Sequence, residues 1–119
     1  MTTQDGSQFL IEVQGFAPVP AQSGERLVLA LARAGTGILH RCGGVAKCTT
    51  CAVTFSAGEP AEMRPAERAK LEEKGLLGEA RLSCQILCAP GMALSILKTE
   101  ASTGLEAGKQ PAPELEPAL

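Results

Sequence analysis

The run HRCGGVAKCTTC, residues 40–51, contains three of the five cysteines of this 119-residue chain. They are spaced C-x5-C-x2-C, as Cys42, Cys48 and Cys51, and Cys84 follows 33 positions later in the run RLSCQ. Thiolates are soft, anionic ligands, and four of them can enclose two irons bridged by sulfide. The pattern therefore predicts an iron–sulfur site with these four cysteines as its ligands.

The loop around the first three cysteines has the residue types that such a site needs. Gly43 and Gly44 lack a Cβ, so the backbone can adopt positive φ and approach the sulfur atoms closely. Backbone N–H groups of the loop and the hydroxyls of Thr49 and Thr50 can then donate hydrogen bonds to sulfur. Such bonds stabilise the more negative, reduced state of a cluster and help to set its potential.

These motifs are similar to those of [2Fe-2S] ferredoxins, and the spacing resembles the adrenodoxin-like branch most closely. Plant-type ferredoxins have C-x4-C-x2-C in the same loop, one residue fewer between the first two cysteines. The Cys-Gly-Gly opening, the short apolar strand Ala52-Val53-Thr54-Phe55 and the Arg-Leu-x-Cys-Gln around Cys84 also resemble the family. The resemblance covers residues 8–98 and leaves the two ends of the chain outside.

The resemblance implies an α+β fold of the β-grasp type, with the cluster-binding loop at the molecular surface. It implies a [2Fe-2S] cluster as cofactor, and a one-electron carrier that is not an enzyme. The expected partners are a flavoprotein reductase and an acceptor oxidoreductase, such as an oxygenase, a cytochrome of the P450 type or the iron–sulfur assembly machinery. We expect the carrier to be a monomer.

Other site chemistries fit the cysteine pattern less well. Structural zinc sites usually combine two Cys-x-x-Cys or Cys/His pairs, and one such pair occurs here. A disulfide framework conflicts with the odd number of cysteines, and residues 1–10 lack the features of a secretory signal, so we expect a cytoplasmic location. A Rieske-type centre needs two histidines, and the chain has one. We expect this residue, His40, to be a surface or hydrogen-bonding residue at the edge of the loop.

A second function remains open for the same cluster, that of a redox-sensing, regulatory or iron–sulfur assembly module. In a sensor, cluster loss or oxidation would change binding to another protein, with Cys88 and the C-terminal tail as the readout. Cys88 itself has two interpretations: a small buried residue near the cluster, or a redox-labile thiol or substitute ligand. Four residues of strand span roughly 13 Å, so one iron cannot bind both Cys84 and Cys88 without a sharp bend.

Composition favours one small domain with a flexible C-terminal tail. Hydrophobic residues make up 45% of the chain, and no apolar run reaches the ~20 residues needed to cross a bilayer. The chain has three Phe and no Trp or Tyr, so it has few aromatic side chains on which nucleic-acid bases could stack. We therefore do not expect nucleic acid as a partner. The predicted division is a ferredoxin-type domain over residues 8–98 and a Pro-, Ala- and Glu-rich tail over residues 99–119.

Periodicity and turn signals predict the elements of the domain. Alternation in Phe9, Ile11 and Val13 predicts a strand with one buried face, and Gly15 allows the chain to reverse. The other predicted elements are an edge strand at 16–21, helices at 25–34 and 65–74, a strand at 52–55, and extended segments at 82–88 and 92–97.

The predicted helix at residues 65–74 carries charges of both signs, whereas adrenodoxin-like proteins present a strongly acidic helix to their partners. Intrahelical pairs such as Glu67 with Lys70 would partly neutralise its field. Three cations lie near the ligands in sequence and predict a basic cluster rim, namely Arg41, Lys47 and Arg81. We therefore predict partner docking that is weak and tolerates salt.

Overall fold

The computed structural model describes residues 8–41, 49–106 and 108. The strands are β1 (Gln8–Val13), β2 (Val19–Gln22), β3 (Ala52–Ala57), β4 (Arg81–Leu82) and β5 (Ala93–Ile96). The helices are α1 (Leu27–Arg33), α2 (Pro65–Glu73) and α3 (Glu100–Thr103), and a 3₁₀ turn spans Ser83–Gln85. No helix in these ranges has the length and apolar content needed to span a bilayer.

The strands of the described ranges form one mixed sheet in the order β2-β1-β5-β3-β4. β1 is antiparallel to β2 and parallel to β5, and β3 is antiparallel to both β5 and β4. The parallel pair lies in the middle of the sheet, and the antiparallel pairs lie toward its edges. This combination of a mixed sheet with few helices confirms the predicted α+β class.

The alternating pattern of the first two strands explains their place in the sheet. Ile11 and Val13 are buried on one face of β1, whereas the neighbouring Leu10 is 59% exposed. In β2, the buried Val19 is followed by the exposed Pro20. Because proline has no N–H to donate, it is tolerated at a sheet edge, and β2 is an edge strand as predicted.

Helix α1 closes one side of the core. Its residues Leu27, Val28, Ala30 and Leu31 are buried, and the helix contacts both β2 and the 3₁₀ turn that carries Cys84. Burying a Leu or Val side chain fully contributes roughly 1.5–3 kcal/mol. The apolar face of α1 therefore holds the turn against the rest of the domain.

The predicted extended segment at residues 82–88 is wrong in part. After the two residues of β4 the chain forms the 3₁₀ turn, and a bridge to Arg26 resumes at Leu87. Consecutive residues of the turn are all buried, so the faces do not alternate as they would in a half-exposed strand. The turn redirects the chain at the position of Cys84.

The structured chain continues past residue 98. Thr99 caps α3 with a reciprocal pair of bonds, in which each backbone N–H of Thr99 and Ser102 donates to the other residue's hydroxyl at 3.0 Å. Thr99 also forms a bridge with Ile38, and the Leu39 N–H donates to the Lys98 carbonyl at 3.2 Å. The first residues of the predicted tail thus lie along the segment that leads to the cysteine loop. Residues 107 and 109–119 lie outside the described part.

A buried ion pair joins α2 to β4. Arg81 Nε and Nη2 donate to Glu67 Oε2 and Oε1 at 2.7 and 3.1 Å, and the Leu82 N–H donates to Oε2 at 2.9 Å. Arg81 also donates to the carbonyls of Pro60 and Glu62 at 2.8 and 2.9 Å. The pair therefore anchors the helix, the strand and the loop before the helix at a point three residues from Cys84.

This ion pair corrects two predictions about charge. Glu67 faces the core and binds Arg81, and Lys70 pairs with Glu73 instead, with Nζ 2.9 Å from Oε1. Arg81 is 4% exposed, so it belongs to the interior and not to a basic cluster rim. Both errors arise because the partners come from different elements, which a helical spacing rule does not describe.

We expect Glu67→Gln to destabilise the fold strongly, because it leaves the buried Arg81 without its principal counter-charge. The cost of breaking such a pair is about 3–5 kcal/mol of the free energy of unfolding, measured by anaerobic urea denaturation. Glu72→Gln is the matched control, since Glu72 lies on the same helix in an exposed pair with Arg68 at 3.7 Å. The control should change the free energy by less than about 0.5 kcal/mol. Equal stability of the two variants would contradict the structural role given to Glu67.

Candidate metal centre

The sheet brings Cys51 and Cys84 together across a long stretch of sequence. Cys51 directly precedes β3, whose first residue Ala52 pairs with Leu82 of β4, and Cys84 lies two residues beyond that partner. The N–H and hydroxyl of Ser83 both donate to the Cys51 carbonyl, at 3.2 and 2.8 Å. Both cysteines are buried, at 1% and 0% exposure. The register of β3 on β4 therefore brings Cys51 and Cys84 together, although they are far apart in sequence.

The two thiols lie within hydrogen-bonding reach of each other, which raises the pKa of Cys51 well above its usual value. The hydrogen bond with the Cys84 side chain is the largest cause, and burial and the charge of Cys84 act in the same direction. The Cys84 backbone N–H and the Ser83 hydroxyl stabilise the thiolate and lower this pKa, but they do not reverse the shift. A nearby positive charge, such as that of a metal ion, would favour the deprotonated form of Cys51.

Part of the predicted site falls in residues 42–48. The predicted residues that lie outside the described part of the chain are Cys42, Gly43, Gly44, Lys47 and Cys48. The two flanks of this segment are described, and the Arg41 N–H donates to Thr50 Oγ1 at 3.0 Å. The Thr50 hydroxyl, predicted to donate to sulfur, thus accepts a bond that joins the two ends of the loop. We call this contact the loop neck.

Two polar side chains hold Cys84, although the cysteine pattern predicts a role for neither. Gln85 Nε2 lies 3.6 Å from Cys84 Sγ and donates to it, while Arg26 Nη2 donates to the Cys84 carbonyl at 2.6 Å. Both side chains are buried, at 3% and 2% exposure. The motif Arg-Leu-x-Cys-Gln could have indicated Gln85, but Arg26 is 58 residues away in sequence and has no local signal.

Two residues before the loop occupy different environments. His40 is 5% exposed, so the surface position considered for it is wrong, and it lies in the interior beside the loop. Arg41 is exposed, and its Nη1 donates to the Glu106 carbonyl at 2.6 Å. The C-terminal segment therefore contacts the chain at the entrance to the cysteine loop.

Cys88 lies apart from these contacts, in the chain segment that faces the start of α1. Its N–H donates to the Glu25 carbonyl at 2.7 Å, and its side chain is 3% exposed. Burial raises the pKa of its thiol to about 12, with a further contribution from the charge of Glu25. Cys88 is therefore a buried thiol with a raised pKa, and its burial agrees with the simpler of its two interpretations.

The donor set fits an iron–sulfur cluster as far as the described chain reaches. Within residues 8–41, 49–106 and 108, no group of three or more His, Cys, Asp or Glu side chains is placed to hold a metal. Cys51 and Cys84 supply two neighbouring soft donors, and the loop neck joins the described flanks of residues 42–48 beside Cys51 in the chain. Metal binding releases the protons of cysteine ligands, so a pair of neighbouring buried thiols is suited to a metal cation.

Comparison with known proteins gives relatives that differ widely in size. The chain is 35% identical over 68 residues to one subunit of the Na(+)-translocating NADH-quinone reductase of Pseudoalteromonas atlantica. This match covers 57% of the chain and 16% of the relative, so the chain spans a small part of that protein's length.

Two solved structures are similar over most of the chain. The ISC-like [2Fe-2S] ferredoxin from Pseudomonas putida JCM 20004 matches with a TM-score of 0.58 and 25% identity, covering 75% of this chain and 92% of that one. The covalent putidaredoxin reductase–putidaredoxin complex contains a chain that matches with a TM-score of 0.56 and 25% identity, covering 76% of this chain and 97% of that one. These likenesses confirm the predicted β-grasp fold.

A family model described as a 2Fe-2S iron-sulfur cluster binding domain matches residues 11–89. The matched range is more than half of the chain and contains all four cysteine positions that the sequence predicts as ligands. The cofactor predicted from the cysteine pattern, a [2Fe-2S] cluster, is thereby confirmed. The chain belongs to the family of 2Fe-2S iron–sulfur cluster binding domains.

Proposed function

We propose that this chain is a one-electron carrier and not an enzyme, and that Cys42, Cys48, Cys51 and Cys84 hold its [2Fe-2S] cluster. The observation that carries the proposal is the buried contact of Cys51 with Cys84. When bound, such a cluster accepts and releases a single electron.

The residues of the chain contribute binding, orientation and insulation. Ser83 ties the main chain of Cys51 to the turn, and Gln85 donates to the sulfur of Cys84. Donors to sulfur stabilise the reduced state. Arg41 is exposed and Thr50 half-buried at the loop neck, so the chain around the site extends from the core to the surface. The proposed route of the electron to the surface follows this part of the chain.

A flavoprotein reductase is the proposed donor, because putidaredoxin, a similar chain, forms a complex with its reductase. The proposed acceptor is an oxidoreductase such as an oxygenase, a cytochrome of the P450 type or an iron–sulfur assembly protein. We propose a monomeric cluster domain over residues 8–98, followed by an extension that begins with α3. A reducing, cytoplasmic setting suits free thiols such as Cys88.

The regulatory alternative is not favoured by the position of Cys88. A redox-sensing thiol is usually accessible and has a lowered pKa. Cys88 has a raised pKa and a buried side chain, which is the opposite combination. The electron carrier is therefore the better supported function.

The charges of α2 support docking that depends weakly on salt. On the surface of the helix, Lys70 pairs with Glu73 at 2.9 Å and Arg68 pairs with Glu72 at 3.7 Å. Glu67 is buried and pairs with Arg81. Pairs of opposite sign on one helix leave little net field at the distance of an approaching partner.

The ligand assignment predicts a sharp difference between two cysteines four positions apart. Cys84→Ser should lose most of the iron, sulfide and visible absorbance of the anaerobically purified protein, because a hydroxyl is a poor replacement for a soft thiolate. Cys88→Ser should keep the iron content and the electron paramagnetic resonance spectrum of the reduced wild type. Cluster loss in Cys88→Ser with retention in Cys84→Ser would assign the fourth ligand to Cys88 instead.

The raised pKa predicts that Cys88 reacts slowly with thiol reagents in the folded, cluster-loaded protein. At pH 8 a thiol of pKa about 12 is thiolate in roughly one molecule in ten thousand, so alkylation by iodoacetamide should be slow and should accelerate about tenfold per pH unit. Peptide mass spectrometry measures the rate, and the unfolded chain provides the fast reference. Rapid labelling at neutral pH would contradict the buried position.

The same shift has a consequence for stability at high pH. The folded state holds the Cys88 proton more tightly than the unfolded chain, whose thiol has a pKa near 9.0. The contribution of Cys88 to stability is therefore complete below about pH 9 and is lost as pH rises toward 12. Cys88→Ala should remove this part of the pH dependence of the free energy of unfolding.

Electron transfer from a flavoprotein reductase should tolerate salt. We expect the second-order rate constant, measured by stopped-flow absorbance, to change by less than about threefold between about 0.05 and 0.5 M ionic strength. A fall of about tenfold or more would show that a strongly charged surface guides the encounter.

A further inference from the structure

We propose that Arg26 is a positioning residue for Cys84, and that its buried positive charge raises the reduction potential of the cluster. The inference rests on the proposed function, because it takes Cys84 as a ligand. It concerns a residue that makes its contact through the main chain of the ligand and not through the sulfur.

The contact is short and comes from a buried side chain. Arg26 is 2% exposed, and its Nη2 lies 2.6 Å from the Cys84 carbonyl oxygen. Hydrogen bonds from a charged donor are shorter and roughly twice as strong as neutral ones. The guanidinium thus fixes the backbone of the proposed ligand itself.

The main chain around Arg26 holds the other side of the same segment. Arg26 forms an antiparallel bridge with Leu87, and the Leu27 N–H donates to the Ile86 carbonyl at 2.8 Å. The side chain then reaches back along this segment to the carbonyl of Cys84. The backbone of Arg26 therefore holds the segment at Leu87, and its side chain holds the same segment at Cys84.

An arginine is unfavourable for stability at the position of residue 26. This cost argues that Arg26 has a role beyond starting the helix. Arg26 is the N-cap of α1 and makes no side-chain capping bond, whereas Ser, Thr, Asp or Asn would contribute about 1 kcal/mol there. A cation at the N-terminal end of a helix is also disfavoured by the helix dipole. Burial of the guanidinium adds a desolvation cost. The contact with Cys84 is the gain that offsets these costs.

The sign of the electrostatic effect follows from the charges. One-electron reduction makes the cluster more negative, and a guanidinium remains protonated at all pH values of interest. In an interior of low dielectric, a positive charge this close to the ligand favours the reduced state.

The test compares the reduction potentials of three variants in anaerobic dye-equilibrated titrations followed by electron paramagnetic resonance. Arg26→Lys keeps the charge, Arg26→Gln keeps a donor without charge, and Arg26→Met keeps neither. We expect a potential near that of the wild type for Arg26→Lys and clearly lower potentials for Arg26→Gln and Arg26→Met. Arg33→Gln removes an exposed cation from the same helix and should leave the potential unchanged.

The outcomes separate this inference from the proposed function. A wild type that binds no [2Fe-2S] cluster overturns the proposed function itself. Cluster-loaded Arg26→Gln with the potential of the wild type overturns the role of the charge, whatever its thermal stability. If the neutral variants bind no cluster, circular dichroism decides: a folded, cluster-free chain supports positioning of Cys84, and an unfolded chain shows that Arg26 is needed for folding alone and overturns the proposal.

Discussion

The contact between two buried thiols, Cys51 and Cys84, is the interaction on which the rest of the structure depends. Each thiol must lose a proton to become a ligand, and the neighbouring Cys84 side chain together with burial raises the pKa of Cys51. The fold must therefore hold the pair close enough to share a metal centre and rigidly enough that repulsion does not separate them. The pairing of β3 with β4 sets the distance, and Ser83 ties the two segments together.

Two buried arginines hold the segment that carries Cys84, one from the start of α1 and one from β4. Arg81 binds Glu67 and the carbonyls of the loop before α2, and Arg26 binds the Cys84 carbonyl from the start of α1. Each arginine thus links a helix to the ligand segment. Helix packing and site geometry are therefore coupled in this small domain. A shift of either helix would move a side chain that is hydrogen-bonded to, or part of, the segment that carries Cys84.

Much of this architecture was predictable from the sequence. Cysteine spacing indicates the cluster chemistry, alternation at Ile11 and Val13 indicates the first strand, and Pro20 indicates an edge. These signals are local, since they depend on residues a few positions apart. The buried roles of Arg26 and Glu67 were not predictable, because a charged side chain beside other charges is usually solvated, and its partner is named only by the tertiary fold. The 3₁₀ turn was not predictable for a different reason. Its residues are all buried, so the sequence shows no alternation of buried and exposed positions that would separate a strand from a turn.

The loop neck has a consequence for how this domain can diversify. The bond from Arg41 to Thr50 fixes the spacing of two positions that flank residues 42–48 in the chain. With those points fixed, adding or removing a residue between them changes the closure entropy by only a small amount, because that entropy depends on the logarithm of length. The proposed ligands Cys42 and Cys48 lie between those points in the sequence. A change of length there would therefore act on the spacing of the ligands and not on the strands that hold Cys51 and Cys84.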